Sequence, residues 1–374
     1  AWAGLGVTED VLAGAGLPSR SAAAVLREAA PVSMRPLDCR TSADGSTSKL
    51  MLELRDGHRV ETVVMRHEAR TTVCVSSQVG CQMGCAFCAT GTLPIVGDLD
   101  AEEIVEQLLH AHALELAAGR PPVRNAVFMG MGEPLNNYQA VSAALRTLTD
   151  NACLGKYALP PSRVTVSTVG VVPRMRQLSE EMPAVSLALS LHAPTQELRE
   201  RIVPAARQSP LEALLGALDA RAAGSRARGG AGGTTMVEYV LLGGVNDSDE
   251  SALELGRLMA PRAGDVIVNL IPYNPGPSPT EAAFAAPPHE VVERFQHIVA
   301  GWGVTVRVRR EMGRDIAGAC GQLALSSAPK DGGAAPLPAA ADLEDFVAWR
   351  RLQPPDVKAA VHAECASLVA EAMG

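Results

Sequence analysis

Aromatic residues are scarce: three Trp, four Tyr and five Phe make up 3% of 374 residues. A wide base-stacking platform, as used by single-strand nucleic-acid binders, is therefore excluded. Lysine is scarcer still, confined to Lys49, Lys156, Lys330 and Lys358, so nearly all basic charge is arginine, the side chain suited to bidentate phosphate contacts. The net charge is −8 at pH 7, which excludes a generic polyanion-binding surface, because non-specific nucleic-acid affinity comes from Lys and Arg neutralising phosphates. Any RNA contact must be local. No apolar run approaches the roughly 20 residues that span a bilayer. Residues 1–20 also lack the basic start and apolar core of a secretory signal, so the chain reads as soluble, with no membrane partner. It begins at Ala1 and not at Met, which reads as a processed or truncated start.

Eight cysteines are present, four of them between Cys74 and Cys88. In a chain this long that is not a secreted disulfide framework but a metal or redox site in a reducing compartment: the cytoplasm, or a plastid or mitochondrial matrix if the source is eukaryotic.

Residues 1–36 are Ala-rich with weak helical periodicity and read as a few helical turns. KLMLELRDGHRVETVVM, Lys49 to Met65, alternates apolar and polar residues on both sides of Asp56-Gly57, a strong hairpin signal. Six β-rich runs then alternate with helix-like segments: TTVCVSS from Thr71, NAVFMGM from Asn125, RVTVSTVG from Arg163, VSLALSLHA from Val185, TTMVEYVLL from Thr234 and VIVNLIPYN from Val266. Repeated βα units of this kind make a parallel sheet. The first helix has Asp100 as N-cap, Glu103 three residues on and Gly119 as its stop. A last strand, VTVRVRRE, starts at Val304. Six units fall short of the eight of a closed barrel, so the fold expected is an open, partial (β/α)6 TIM-like barrel with its site at the C-terminal strand ends. The expected division is an accessory segment over 1–59, the barrel core over 60–325, and a Pro/Gly/Ala linker with a helical tail over 326–374. AAGSRARGGAGG, Ala222 to Gly233, reads by composition as a loop.

Cys81, Cys85 and Cys88 form C-x3-C-x2-C in a loop leaving the first of these strands. Structural zinc takes four ligands, so a zinc site would have to recruit Cys74 or Cys153. A four-iron cluster held by three thiolates instead leaves one iron open for another ligand. Gly130-Met131-Gly132-Glu133-Pro134 follows the second strand, where glycines allow close backbone approach and a carboxylate could hold an ammonium group.

The three-cysteine spacing, with Phe87 before the last cysteine, resembles the radical S-adenosylmethionine (radical SAM) superfamily. CVSSQVGC-x3-C-x2-C, GMGEPLNN, STVG, LSLHAP, GVNDS, NLIPYNP and DIAGACGQL, in this order from Cys74 to Leu323, further resemble the RlmN/Cfr family of radical SAM adenosine methyltransferases. The resemblance implies a [4Fe-4S] cluster on Cys81, Cys85 and Cys88, with the open iron chelated by SAM. It implies two SAM per turnover: one methylates a cysteine, the other yields a 5′-deoxyadenosyl radical that takes hydrogen from that methyl group. The carrier matches Cys320. The thiol that releases the product matches Cys74, and the proton acceptor matches Glu61. Gly132, Glu133, Ser167, Ser190, Leu191, His192 and Asn274 match SAM contacts. Read without the family, Cys320 and Cys74 would be buried small hydrophobes, Glu61 an exposed strand carboxylate and His192 a core-strand histidine.

The substrate implied is C2 of an adenosine in large-subunit (23S-type) rRNA, and in some members also an adenosine of the tRNA anticodon loop. C8 methylation, as in the Cfr branch, uses the same motifs, and a metal-stabilised RNA-binding protein without catalysis is the reading from another class. The implied partners are RNA and a one-electron donor such as flavodoxin or ferredoxin, with the enzyme a monomer. Arg307, Arg309, Arg310 and Arg314 lie just before Cys320 and are candidates for phosphate contacts. The adenine must leave its stack to meet Cys320, so unpaired or unfolded RNA is expected.

Overall fold

The computed structural model describes residues 33–154, 157–229, 234–275, 284–323 and 325. The helical turns expected up to residue 32, and the linker and tail from residue 326, lie outside these.

Strand β1 (Arg35–Thr41) pairs antiparallel with β2 (Thr47–Glu53), and β2 pairs antiparallel with β3 (Arg59–His67). The Asp56-Gly57 hairpin forms as its sequence predicts. Gly57 takes φ +85°, a conformation a Cβ would strain, and Asp56 Oδ1 accepts the His58 N–H at 2.9 Å. The helical expectation fails at Arg35 and Pro36, which are strand. Proline is tolerated there because β1 is the edge of the sheet.

Next, β4 (Arg70–Cys74) turns the sheet from antiparallel to parallel: it pairs antiparallel with β3 and parallel with β7 (Asn125–Phe128). Between them, β5 (Gln78–Val79) and β6 (Gly97–Asp98) form a small ribbon at the foot of the cysteine loop, followed by helix α1 (Ala101–Ala117). The chain continues through α2 (Tyr138–Thr149), the single turn α3 (Asn151–Leu154), β8 (Val164–Thr168), α4 (Val172–Glu181), β9 (Ser186–Ser190), α5 (Gln196–Ile202), α6 (Leu211–Ala227), β10 (Thr235–Leu241), α7 (Asp249–Met259), β11 (Val266–Pro272), α8 (His289–Ala300) and β12 (Thr305–Val308). The sheet order is β1-β2-β3-β4-β7-β8-β9-β10-β11-β12. Six βα units and a closing parallel strand thus form an open, partial barrel, extended at one edge by the antiparallel β1–β3.

The two faces of the parallel strands differ, as period-two alternation requires. Val73, Ala126, Val164, Val166, Leu187, Leu189, Val237, Val268 and Leu270 are buried in one core with helix residues such as Ile104, Leu108, Val141, Leu178, Leu255 and Phe295. The alternate residues, among them Thr72, Asn125, Thr165, Glu238, Asn269 and Arg307, line an interior cleft. The barrel interior is therefore mixed, with these polar groups set among apolar side chains such as Val127, Met236 and Ile267.

Helix α1 starts with the expected capping box: the Asp100 N–H donates to Glu103 Oε2 at 2.9 Å, and Gly119 follows its end at φ +67°. The loop expected over Ala222–Gly233 is corrected in part, because α6 continues to Ala227. Alanine and arginine favour helix, and the segment is tied down at both sides. Arg221 is buried and donates to Val185 O at 2.7 Å, and Arg226 pairs with Asp265 at 2.6 Å. Residues 230–233 lie outside the described chain. Among the described residues, no helix is long and apolar enough to cross a membrane.

Candidate active site

Most of the apolar runs that mark the parallel strands in the sequence extend past the last paired residue, and the surplus residues leave the sheet to build one cavity at its C-terminal edge. Cys81, Cys85, Cys88, Gly132 and Glu133 line it, as do Ser167, Ser190, His192, Asn274 and Cys320. Leu191, Cys74 and Glu61 do not. Leu191 is fully buried in the core, Cys74 ends β4, and Glu61 lies on β3.

The cysteine loop is held by its own glycines and by distant backbone. At Gly80, φ is +82° and a Cβ would stand 2.0 Å from Pro94 O, so only glycine fits there. The Ala86 N–H donates to Ile202 O at 2.9 Å, and within the loop the Cys88 N–H donates to Cys85 O at 3.1 Å. Burial and the neighbouring thiols raise Cys85 well above the usual thiol range, and burial pushes Cys88 up to about 11. Such thiols stay protonated until a cation displaces the proton. Among the described residues, no three His, Cys, Asp or Glu side chains gather round a single ion. Cys153 sits on α3, where its thiol contacts Asp150 Oδ2 at 3.4 Å. Three thiols spread along one cavity wall match the demand of a polynuclear cluster, in which each thiolate binds a different iron.

On the wall of the same cavity, Gly130 and Gly132 run so close to the Val75–Gln78 segment that no side chain fits. A Cβ on Gly130 would lie 2.7 Å from Ser76 Oγ, and one on Gly132, at φ +96°, 2.5 Å from Gln78 Cβ. Glu133 stands beside Gly132, buried. Its Oε1 accepts the Leu135 N–H at 3.0 Å and its Oε2 the Val169 N–H at 2.8 Å. Burial raises its pKa despite these bonds and a further one from Thr168. A buried carboxylate on a cavity wall, without a cation within ion-pair distance among the described residues, fits an incoming ammonium group.

Ser167 and Ser190 bring their hydroxyls within 3.3 Å across β8 and β9. His192 leaves β9 in the left-handed region, φ +62°, which turns its ring into the cavity edge-on to Phe87 at 4.8 Å. Burial, with a smaller push from Arg199, lowers the imidazole to about 3. Its Nδ1 accepts the Val240 N–H at 3.1 Å, which assigns the ring proton to Nε2.

The Cys320 loop returns to this cavity from the far end of the chain and is pinned on three sides. The cluster loop holds it through Ala89 N–H to Gly321 O at 2.7 Å and Thr90 Oγ1 to Leu323 O at 2.6 Å. Gln322 Nε2 donates to Pro275 O beyond β11 at 2.8 Å, and Lys49 Nζ donates to Ala317 O at 3.1 Å. Lys49 also pairs with Glu61 at 2.8 Å, both side chains being buried, and Glu61 Oε2 accepts the Leu325 N–H at 3.3 Å. Glu61 is thus placed behind the Cys320 loop, and the exposed strand carboxylate that its alternation suggested is corrected.

Cys320 itself is solvent-accessible, yet it stands deep in a concave wall whose protein surroundings raise its thiol pKa; Arg309 opposes that shift. Burial first, and then the nearby Cys320, push Cys74 up to about 12, against the pull of Arg309 and the Met129 N–H. The two thiols therefore share one cation, Arg309, whose Nη1 also approaches Met129 Sδ at 3.6 Å. Arg309 is balanced by the buried Glu238, held by Asn269 Nδ2 at 2.8 Å.

Sequence reasoning missed several residues that hold the site. Asn246, the central residue of GVNDS, is fully buried. It accepts the Leu242 N–H at 2.7 Å and donates to His192 O and Val240 O at 2.8 and 2.7 Å, so it ties β10 to the end of β9. Ser76, between Cys74 and Cys81, accepts the Met131 N–H at 2.9 Å and donates to Glu61 O at 2.7 Å. The signal available was a polar residue inside an otherwise apolar motif, a position where burial demands partners.

A partial barrel with a three-cysteine loop and a Gly-x-Gly-Glu segment on the walls of one cavity defines a radical SAM enzyme, and the model of the radical SAM superfamily matches residues 75–256. The chain is 46% identical over 289 residues to a probable dual-specificity RNA methyltransferase RlmN of Desulforudis audaxviator, covering 77% of this chain and 85% of that one. It is 42% identical over 289 residues to the ribosomal RNA large subunit methyltransferase N of Nitrosopumilus maritimus, covering 75% and 78%. The crystal structure of a radical SAM methyltransferase from Sphaerobacter thermophilus superposes with a TM-score of 0.74 at 40% identity, over 86% of this chain and 90% of that one. The chain belongs to the RlmN family of radical SAM RNA methyltransferases. That family implies an iron–sulfur cluster and SAM.

Proposed function

We propose that the protein methylates C2 of an adenosine in large-subunit rRNA, with a tRNA anticodon-loop adenosine as a second substrate, by way of a methyl group carried on Cys320. The observation that supports this most is the separation of cysteine roles: Cys81, Cys85 and Cys88 share one loop, whereas Cys320, on the wall of the same cavity, and Cys74, at the end of β4 behind it, both interact with Arg309. When bound, the cluster and two SAM per turnover supply the methyl group, the reducing electron and the hydrogen-abstracting radical.

Cys81, Cys85 and Cys88 hold the cluster. Glu133 takes the SAM ammonium group, and Gly132, Ser167, Ser190, His192 and Asn274 shape the pocket around it. Cys320, pinned by Ala89, Thr90 and Gln322, presents its methylated sulfur to the adenine. Once the methylene carbon has bonded to the ring, the radical adduct must lose one electron, with the oxidised cluster as acceptor, and the displaced ring proton passes to Glu61. The Cys74 thiolate then attacks Cys320 Sγ. An S–S bond forms, the S–C bond breaks, and its electron pair stays on the methylene carbon, which takes up a proton to become the methyl group. An external dithiol reduces the disulfide. Arg309, facing both sulfurs, favours the thiolate that this exchange requires. Flavodoxin or ferredoxin is the donor class, and the enzyme acts as a monomer. Arg310 and Arg314 are exposed beside the Cys320 loop and supply phosphate contacts, with the exposed Arg307 further down β12.

An anaerobic assay with reduced flavodoxin, methyl-labelled SAM and rRNA fragments, followed by nucleoside mass spectrometry, tests this reading. The expected product is 2-methyladenosine. Detection of 8-methyladenosine in its place would overturn the regiochemistry, and stoichiometric zinc without iron in the purified protein would overturn the enzyme.

A further inference from the structure

Arg199, on α5, is fully buried, and among the described residues no carboxylate pairs with it. Its guanidinium donates to four main-chain carbonyls instead: Nε to Leu191 at 3.1 Å, Nη1 to Ser209 at 3.4 Å, and Nη2 to Ser190 at 3.3 Å and to Val169. A buried cation served by dipoles alone is costly, so a nearby anion is the natural expectation. The chain around it points to one. Helix α5 ends at Ile202, whose carbonyl accepts the Ala86 N–H at 2.9 Å, and Cys85 packs against Ile202 and Val203 in one small apolar cluster. The charge of Arg199 therefore lies behind the loop that carries the three cysteines. Burial lowers its pKa to about 10, with Cys85 as the opposing neighbour, so it remains a cation at neutral pH. On the opposite side, Val169 links Arg199 to Glu133, accepting from the first and donating to the second at 2.8 Å.

We propose that Arg199 is a charge-compensating and positioning residue for the iron–sulfur cluster: a fixed cation screened from water, which favours the reduced, more anionic cluster over the oxidised one. The inference rests on the assignment of Cys81, Cys85 and Cys88 as cluster ligands. Net charge and hydrogen bonding around a cluster set its potential, and a unit charge acts strongly where the dielectric is low. The same guanidinium fixes the ends of β8 and β9 on which Ser167, Ser190 and Glu133 depend.

The test uses the reconstituted full chain. Iron and sulfide content is measured first on the wild type; their absence would overturn the ligand assignment itself, independently of Arg199. Arg199→Gln keeps amide donors for at most two of the four carbonyls and removes the charge. At a redox poise where the wild-type cluster is half reduced, electron paramagnetic resonance should show its reduced-to-oxidised ratio lowered about tenfold, equivalent to about 59 mV for one electron. A fully loaded Arg199→Gln with an unchanged ratio would overturn the proposal. Arg199→Lys retains the charge and covers the case in which the glutamine variant does not load. Its ratio should stay within about threefold of wild type; a fall as large as that expected for glutamine, with iron intact, would equally overturn the role of charge.

Discussion

Cys74→Ala is expected to accumulate a covalent protein–RNA adduct joined through Cys320, with multiple turnover lowered by roughly a thousandfold or more. The prediction follows from where the two thiols stand. Cys74 ends β4 on the strand face that looks into the barrel, close to the Cys320 sulfur and sharing Arg309 with it. Removal of its sulfur leaves cluster loop and Gly-x-Gly-Glu segment untouched, so the methylene–adenine bond can still form while nothing remains to cut it from Cys320. Cys320→Ala should form no adduct at all. Denaturing electrophoresis of labelled RNA after one round of reaction separates the two outcomes, and adduct formation by Cys320→Ala would remove Cys320 from its role.

Lys49→Met should destabilise the protein by about 3–5 kcal/mol, because it leaves a buried carboxylate without its ion-pair partner. Glu61 is fully buried, Lys49 nearly so, and they stand 2.8 Å apart. The double variant Lys49→Met, Glu61→Gln should recover most of that loss, since the uncompensated charge is then gone. Thermal unfolding of the anaerobically loaded protein reads the first effect. If Lys49→Met unfolds at the wild-type temperature, the pair is not structural. The double variant also separates stability from chemistry: folded but inactive is the result expected if Glu61 accepts the ring proton.

These two cases show why part of the site was legible in the sequence and part was not. The cysteine loop, Gly132 and the α1 capping box depend on residues a few positions apart, so spacing and residue type suffice to read them. The strand runs were legible too, and their overrun at the C-terminal ends is the trace of the site, since residues such as His192 and Asn274 continue an apolar run yet leave the ladder. The Lys49–Glu61 pair is set by hairpin register and by a loop that returns from Ala317, and no local pattern records that. Arg199 reads as an ordinary helical arginine in QELRERI until its helix is seen to end against the cysteine loop. Composition misled at Ala222–Ala227: glycine and serine suggested a loop, whereas the buried Arg221 and the Arg226–Asp265 pair hold a helix. The edge strand β1 carried no turn signal strong enough to set its start.

The central claim is that the methyl group passes through Cys320. Its most direct test is peptide mapping of the loaded protein after incubation with methyl-labelled SAM, before and after RNA is added under reducing conditions. One labelled methyl group is expected on the peptide that contains Cys320, none on those containing Cys74 or the cluster cysteines, and the label should leave that peptide as it appears in the RNA. Labelled RNA formed while Cys320 stays unmethylated throughout would contradict the account.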